Sequence, residues 1–219
     1  MDRPPAVPIK VVVVDDHGIV RDGLCALLDG HFHMKVVGTA ANAKDAIYSV
    51  GQLEPDVIVM DLMLPDLNGI DATLRILAAR PAIRIVILSA SDTSENVFRA
   101  LRAGARAYVL KESAGTELVQ AVLAVYAGDR FLSPRLTTLV IDALDSQRYP
   151  ASPIEKLSPR EREVMHMTVG GSSSAEIALT LSLSRKTVDT YRSRVMEKLG
   201  VPDLPALVRF SIAHAMAPA

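Results

Sequence analysis

The sequence predicts an α/β domain with a doubly wound, parallel sheet of five strands, followed by a small domain made only of helices. Two observations predict this fold. Apolar runs rich in Val and Ile alternate with segments of helical spacing up to residue 128, and only helical patterns follow the linker. Strands buried on both faces are apolar at consecutive positions, and their alternation with helices indicates βαβ units with right-handed crossovers.

Five strand-like runs lie in the first part of the chain. They are IKVVVV, KVVGTA, DVIVM, IRIVIL and AYVL, at residues 9–14, 35–40, 56–60, 83–88 and 107–110. Between and after them, apolar residues recur every three or four positions, as in helices that cover a sheet. We therefore assign residues 9–128 to the α/β domain and expect the flavodoxin-like strand order 2-1-3-4-5.

Helices beyond the sheet have boundaries that can be read from single residues. Residues 129–156 predict a linker with one short helix at 134–144, since Pro150 and Pro153 interrupt any regular pattern. The second domain then spans residues 157–216, and its helix starts carry side chains that cap helices. The capping residues are Ser158 and Ser173, each three residues before a Glu, and Ser184 and Gly200 at the two ends of a third helix.

Composition excludes several other classes of protein. Hydrophobic residues make up 49% of the chain and charged residues 22%, a balance typical of a folded domain and not of a disordered one. No run of about 18 apolar residues is present, and the first residues lack a signal-peptide pattern. The single cysteine excludes an internal disulfide and a zinc site built on several cysteines. We therefore expect a cytoplasmic protein without membrane contact.

Four of the five expected strands end in residues suited to bind a metal ion or a phosphoryl group. Parallel strands present their carboxyl ends at one edge of the sheet, and four of these strands are neighbours in the expected order, so the side chains should share one crevice. Clustered carboxylates repel one another unless a cation lies among them, and oxygen ligands favour Mg²⁺. We interpret the adjacent His17 as an exposed loop residue and not as a ligand. The residues at the strand ends are Asp15 and Asp16, Asp61, Ser89 and Lys111.

Phosphoryl transfer to a carboxylate is the chemistry that needs this set. The nucleophile and the phosphoryl group are both anionic, so Asp61 can attack phosphorus only where Mg²⁺ and Lys111 neutralise charge. Capping of turns is the simpler interpretation for any one of these residues, whereas the joint pattern favours a site. A phosphatase with an aspartyl nucleophile is the enzyme alternative, but it needs a second Asp where this chain has Met63. We expect a protein that accepts a phosphoryl group, loses it slowly and is not an enzyme.

The motifs VVDDHGIVRDGL, MDLMLPDLNGID, LSASD and YVLKE make residues 9–128 resemble the receiver domain of bacterial response regulators. The resemblance implies that Asp61 accepts a phosphoryl group from a sensor histidine kinase. It also implies that Asp15 and Asp16 bind Mg²⁺ together with Asp61, with the backbone carbonyl of Met63 as a further ligand.

The same resemblance implies a conformational switch. Ser89 and Tyr108 match the hydroxyl and aromatic switch positions, and Lys111 matches the lysine of the family. We expect Ser89 to move toward the phosphoryl group on Asp61 and Tyr108 to rotate inward into the vacated space. The alternative is a transcription factor that is independent of phosphorylation and uses the receiver only as a dimerisation platform. That alternative predicts that some of the site residues are replaced, whereas this sequence retains all of them.

The second domain concentrates basic residues on one helix. Residues 1–130 carry a net charge of −3 and residues 151–219 a net charge of +2, whereas residues 184–199 alone carry +3. At about 100° per residue, the apolar side chains of this helix fall on one side and the polar ones on the other. A short helix at 174–181, a turn and this helix match a helix-turn-helix arrangement, and a solvated basic face is the alternative.

The motifs LSPREREVM and SSSAEIALTLSLSRKTVDTYRSRVMEKLGV make residues 157–216 resemble the LuxR-type helix-turn-helix domain. With the receiver in front, the whole chain resembles a NarL/FixJ-type response regulator. The resemblance implies that the helix at 184–199 enters the major groove of promoter DNA and that the protein is a homodimer when phosphorylated or bound to DNA. We expect Lys186 and Thr190 to read bases and Arg194 to contact phosphate. The full expected DNA-contacting set is Arg185, Lys186, Thr187, Asp189, Thr190, Arg192, Ser193 and Arg194.

Overall fold

Parallel strands form the sheet of the N-terminal domain in a computed structural model, which describes residues 7–145 and 153–213. The strands are β1 (Ile9–Val14), β2 (Met34–Ala40), β3 (Val57–Asp61), β4 (Arg84–Ser89), β5 (Ala107–Leu110) and β6 (Phe131–Leu132). Their order in the sheet is β2-β1-β3-β4-β5-β6, and every pairing is parallel. The five predicted strands and their order are confirmed, with each boundary within one residue of the expected one.

Helices cover both faces of this sheet. They are α1 (Gly18–Asp29), α2 (Ala43–Leu53), α3 (Gly69–Ala79), α4 (Ser94–Arg102), α5 (Ala114–Ala127) and α6 (Pro134–Asp145). Consecutive residues of β3 lie on opposite faces of the sheet. Ile58 belongs to the core that packs against α2, α3 and α4, and Val59 belongs to the core that packs against α1 and α5. The consecutive apolar residues that predict buried strands thus supply two cores.

A sixth strand extends the sheet beyond the five that the sequence predicts. Strand β6 pairs with β5, and the next residue, Ser133, is buried. Its hydroxyl accepts the Leu110 N–H at 3.1 Å and donates to the Glu117 carboxylate. Helix α6 then packs against α4 and buries Leu136. A strand of two residues is too short to show a sequence period, so the pattern predicts only five.

The described part of the C-terminal domain has four helices: α7 (Pro159–Val169), α8 (Ser174–Leu181), α9 (Arg185–Leu199) and α10 (Leu204–Ala213). A short 3-10 turn, Pro153–Lys156, precedes them. Capping boxes begin α7 and α8, Ser184 caps α9, and Gly200 ends α9 with a φ of 67°. These predicted helix boundaries are confirmed, whereas Pro150 and residues 214–216 lie outside the described residues. In the described part of the chain, no helix is long and apolar enough to cross a membrane.

Candidate functional site

Acidic and basic side chains meet at the carboxyl edge of the sheet. Asp15 follows β1 and Asp61 ends β3, and both are almost fully buried, with exposed fractions of 0% and 1%. Lys111, directly after β5, places its Nζ 2.8 Å from Asp15 Oδ2 and 2.8 Å from Asp61 Oδ2. Asp16 lies beside them with a partly exposed side chain. The structure therefore brings together four of the residues that sequence analysis places at the strand ends.

A fifth side chain, His17, reaches this cluster. Its Nδ1 lies 2.7 Å from Asp16 Oδ1 and 3.4 Å from Asp15 Oδ1, although half of the imidazole is exposed. The sequence interpretation of His17 as a loop residue overlooks this contact. The signal that could have found it is its position directly after two acidic residues.

The donor atoms at this edge suit a hard divalent cation. One ligand atom each from Asp15, Asp16, His17 and Asp61 lies within 4.8 Å of the others. Among the described residues, neither Asp15 Oδ2 nor Asp16 Oδ1 accepts a well-oriented hydrogen bond, although both oxygens are buried. Buried oxygens with unused lone pairs and a surplus of carboxylates fit Mg²⁺. The Met63 N–H donates to Asp61 Oδ1 at 3.2 Å, and ligation by the Met63 carbonyl stays a prediction.

Burial controls protonation at this site. It raises the pKa of Asp61 to about 6, even though the nearby Lys111 ammonium opposes that shift. Burial alone would lower the pKa of Lys111, but the Asp61 and Asp15 carboxylates raise it above its ordinary value. Near neutral pH the cluster thus holds one ammonium against several carboxylates. The remaining negative charge favours binding of a divalent cation.

The two expected switch residues lie beside this cluster. Ser89 is buried at the end of β4, and its Oγ accepts the Ser91 N–H at 2.9 Å. The Tyr108 ring is fully buried, its hydroxyl donates to the Ser91 carbonyl at 2.9 Å, and burial raises its pKa to about 12. The Tyr108 ring lies inward in this structure, and its rotation on phosphorylation stays a prediction.

The segment after Asp61 packs tightly on the acceptor strand. We call residues 62–68 the β3–α3 loop. Asn68 caps α3 by accepting the Ile70 N–H at 2.9 Å, and the Gly69 N–H donates to the Leu62 carbonyl at 2.9 Å. A Cβ at Gly69 would lie 2.1 Å from the Asp61 carbonyl oxygen, so only glycine fits this close approach.

Helix α9 presents its polar face to solvent. Val188 and Val195 are fully buried, whereas Lys186, Thr190 and Ser193 are exposed, as the helical periodicity predicts. Arg185 and Arg194 are also exposed, and Thr187 is partly buried near the capped start of the helix. The solvent-facing side of α9 therefore carries hydroxyl and cationic groups, the groups that contact base edges and phosphates.

A serine on α8 orients two of the expected DNA-contacting residues. Ser174 Oγ donates to Asp189 Oδ1 at 2.7 Å and accepts from Arg192 Nη1 at 2.9 Å. Asp189 and Arg192 are thus linked through Ser174 across the two helices. This arrangement favours a role for Asp189 in positioning the Arg192 guanidinium.

Family models match both domains of the chain. Residues 11–123 match the response regulator receiver domain, and residues 155–211 match the luxR family of bacterial regulatory proteins. The two matches are separated by the region of β6 and α6.

Similar proteins and structures match nearly the whole length of the chain. The chain is 37% identical to the oxygen regulatory protein NreC of Staphylococcus carnosus over 93% of this chain and 97% of that protein. It is 35% identical to the response regulator GacA of Pseudomonas syringae over 95% and 97% of the two chains. The RcsB response regulator of Salmonella typhimurium has a solved structure with a TM-score of 0.61 and 27% identity, over 94% of this chain and 99% of that one. The chain therefore belongs to the NarL/FixJ-type response regulators, which join a receiver domain to a LuxR-type helix-turn-helix domain.

Proposed function

We propose that a sensor histidine kinase phosphorylates Asp61 in a Mg²⁺-dependent reaction and that this shifts dimerisation and binding to promoter DNA. The observation that carries the proposal is the contact of Lys111 Nζ with both Asp15 and Asp61, each at 2.8 Å, at the carboxyl edge of the sheet. The same chain carries the exposed polar face of α9. These features support a phosphorylated cytoplasmic regulator of transcription.

Transfer of the phosphoryl group requires a nucleophile and neutralised charge. A carboxylate oxygen of Asp61 attacks phosphorus, and the new O–P bond forms as the N–P bond to the kinase histidine breaks. The electron pair of that bond returns to the imidazole nitrogen, which takes up a proton. Lys111 can turn its ammonium from Asp61 to a phosphoryl oxygen, because it already lies between the two carboxylates.

The acidic side chains would hold the metal ion that this reaction needs. Asp15, Asp16 and Asp61 supply the oxygen ligands, and His17 stands next to them. When bound, Mg²⁺ neutralises charge on the phosphoryl oxygens. Ser89, at the end of β4, is positioned to donate its hydroxyl to the new anion once it leaves the Ser91 N–H.

Helix α9 is the proposed reader of DNA. Lys186 and Thr190 face solvent near the start and middle of the helix, where they can reach base edges, and Arg194 can reach phosphate. Solved structures of RcsB include a DNA complex and an assembly of two RcsB dimers on two DNAs. These structures of a relative support promoter binding as a homodimer for this chain.

A comparison of DNA binding with and without phosphorylation tests the proposal. Duplexes selected from a random pool by the phosphorylated chain are titrated against wild type, phosphorylated wild type and Asp61→Asn, with scrambled duplexes as controls. We expect phosphorylation to tighten or weaken specific binding and to change the oligomeric state of wild type only. Equal affinity and equal oligomeric state in all samples would support the phosphorylation-independent alternative instead.

A further inference from the structure

Three arginines from the two domains line one cavity. Arg99 and Arg102 lie in the last turn of α4, where a spacing of three residues places both on the same side of the helix. Arg162 lies near the start of α7. The cavity that these three side chains line has a volume of about 170 Å³ and is partly open to solvent. We call it the arginine cavity.

The lining of the arginine cavity carries a surplus of positive charge. Its three guanidinium groups are opposed by the one carboxylate of the lining, that of Asp71 on α3. Asp71 Oδ1 accepts from Arg162 Nε at 2.8 Å, and the Leu157 carbonyl accepts from Arg162 Nη1 at 2.7 Å. A guanidinium has five N–H donors, so Arg162 can keep these partners and also donate to an anion.

Burial strengthens the attraction between this lining and an anion. Arg99 has an exposed fraction of only 8%, Arg162 is partly buried, and Arg102 is exposed at the rim. Charges interact more strongly where protein replaces the water around them. An anion in the cavity would therefore gain most from Arg99, while Arg102 lies where the anion enters.

The apolar part of the lining limits the kind of ligand that fits. Ile70 and Leu74 of α3 and Ile154 of the 3-10 turn complete the walls, and Leu74 is 44% exposed. A ligand with a few carbon atoms would cover this exposed leucine. The cavity is smaller than the range of about 300–1,000 Å³ for sites of drug-sized ligands, so a nucleotide does not fit.

We propose that the arginine cavity binds a phosphate group, as the free ion or as a small monoester. Guanidinium groups match phosphate oxygens in geometry and charge, and Arg99, Arg102 and Arg162 approach from two helices. The bound anion bridges the receiver and the DNA-binding domain, because both domains supply guanidinium groups. This site is separate in its chemistry from the acidic cluster around Asp61, which repels a free phosphate ion unless a metal ion is bound.

Calorimetric titration of the full chain tests the proposal. Protein freed of divalent cations is titrated with inorganic phosphate and, separately, with phenyl phosphate, at constant ionic strength in chloride. We expect saturable binding. Tighter binding of phenyl phosphate would support a monoester as the ligand, and tighter binding of inorganic phosphate would support the free ion.

Two substitutions should change the affinity for phosphate in opposite directions. Arg102→Gln should weaken binding by about fivefold or more, because a charged donor is lost at an exposed position where folding does not depend on it. Asp71→Asn should tighten binding by about threefold, because the opposing negative charge is removed. Arg106→Gln is the matched control, since Arg106 is an exposed arginine of the same domain outside this lining.

Hydrogen exchange locates the bound anion. Phosphate should slow exchange at the end of α4 and the start of α7 in wild type and leave α9 unchanged. Slower exchange in α9 alone would assign phosphate to the DNA-reading face and overturn the proposal. The absence of saturable binding of both anions, or equal affinity in wild type, Arg102→Gln and Asp71→Asn, would also overturn it.

Discussion

Replacing Asp61 by Asn should stabilise the protein at neutral pH in the absence of Mg²⁺. Burial raises the pKa of Asp61 from 3.8 to about 6, so the folded state binds a proton that the unfolded state has already lost. Wild type is therefore destabilised as the pH rises through this window, whereas Asn has no proton to lose. The difference in free energy of unfolding between Asp61→Asn and wild type should therefore increase with pH.

The pKa shift sets the magnitude of this effect. A rise of about 2 units corresponds to about 3 kcal/mol in total, since one unit is worth about 1.4 kcal/mol. The linkage relation places about 2 kcal/mol of this between about pH 4.5 and about pH 7.5. The stability advantage of Asp61→Asn over wild type should increase by that amount across the interval. Added Mg²⁺ should reduce the advantage, because it stabilises the ionised carboxylate of wild type.

Urea unfolding followed by far-ultraviolet circular dichroism measures the difference, with a chelator present and then with Mg²⁺. Asp22→Asn is the matched control, because Asp22 is an exposed carboxylate on α1 of the same domain. The pH-dependent increase in relative stability should belong to Asp61→Asn and not to this control. If the difference in free energy of unfolding between wild type and Asp61→Asn stays constant across the interval, burial does not raise the pKa of Asp61.

Four further substitutions test the packing and the DNA interface. Gly69→Ala should cost about 1–3 kcal/mol of stability in urea unfolding, because its Cβ would meet the Asp61 carbonyl oxygen; wild-type stability would contradict the close approach. Tyr108→Phe should cost about 1 kcal/mol in the same assay, because the Ser91 carbonyl loses its donor; no cost would rule out that bond. Lys186→Ala should relax base preference by about 1–3 kcal/mol, whereas Arg194→Ala should weaken all duplexes and lower the salt slope by about one phosphate contact. Titrations at several salt concentrations separate these effects, and unchanged binding in both would exclude this face of α9 from the groove.

The fold follows closely from local patterns in the sequence. Strands such as β1 and β3 are buried on both faces, so their consecutive Val and Ile residues leave a strong signal at every position. Helix starts at Ser158 and Ser173 depend on contacts only three residues apart, which the sequence displays directly. By contrast, β6 is held by Ser133, which bonds to the distant residues Leu110 and Glu117. Contacts between distant residues leave no periodic pattern in the local sequence.

The acidic site could be predicted because each residue ends a recognisable strand, and the topology then gathers the strand ends. The inward position of Tyr108 could not, because its partner, the Ser91 carbonyl, belongs to a loop whose path depends on tertiary packing. The contacts between the two domains could not be predicted from the sequence either. Arg162 and His166 occur in a helix with charged and apolar residues on several sides, and their partners lie about 100 residues earlier in the chain.

Phosphorylation of the full chain tests the central claim most directly. The chain is incubated with acetyl phosphate in Mg²⁺ or in chelator, and the product is mapped by peptide mass. Our account predicts one acid-stable, base-labile acyl phosphate on Asp61, formed with Mg²⁺ and absent from Asp61→Asn. Undiminished labelling of Asp61→Asn, or equal labelling of wild type in chelator, would contradict it.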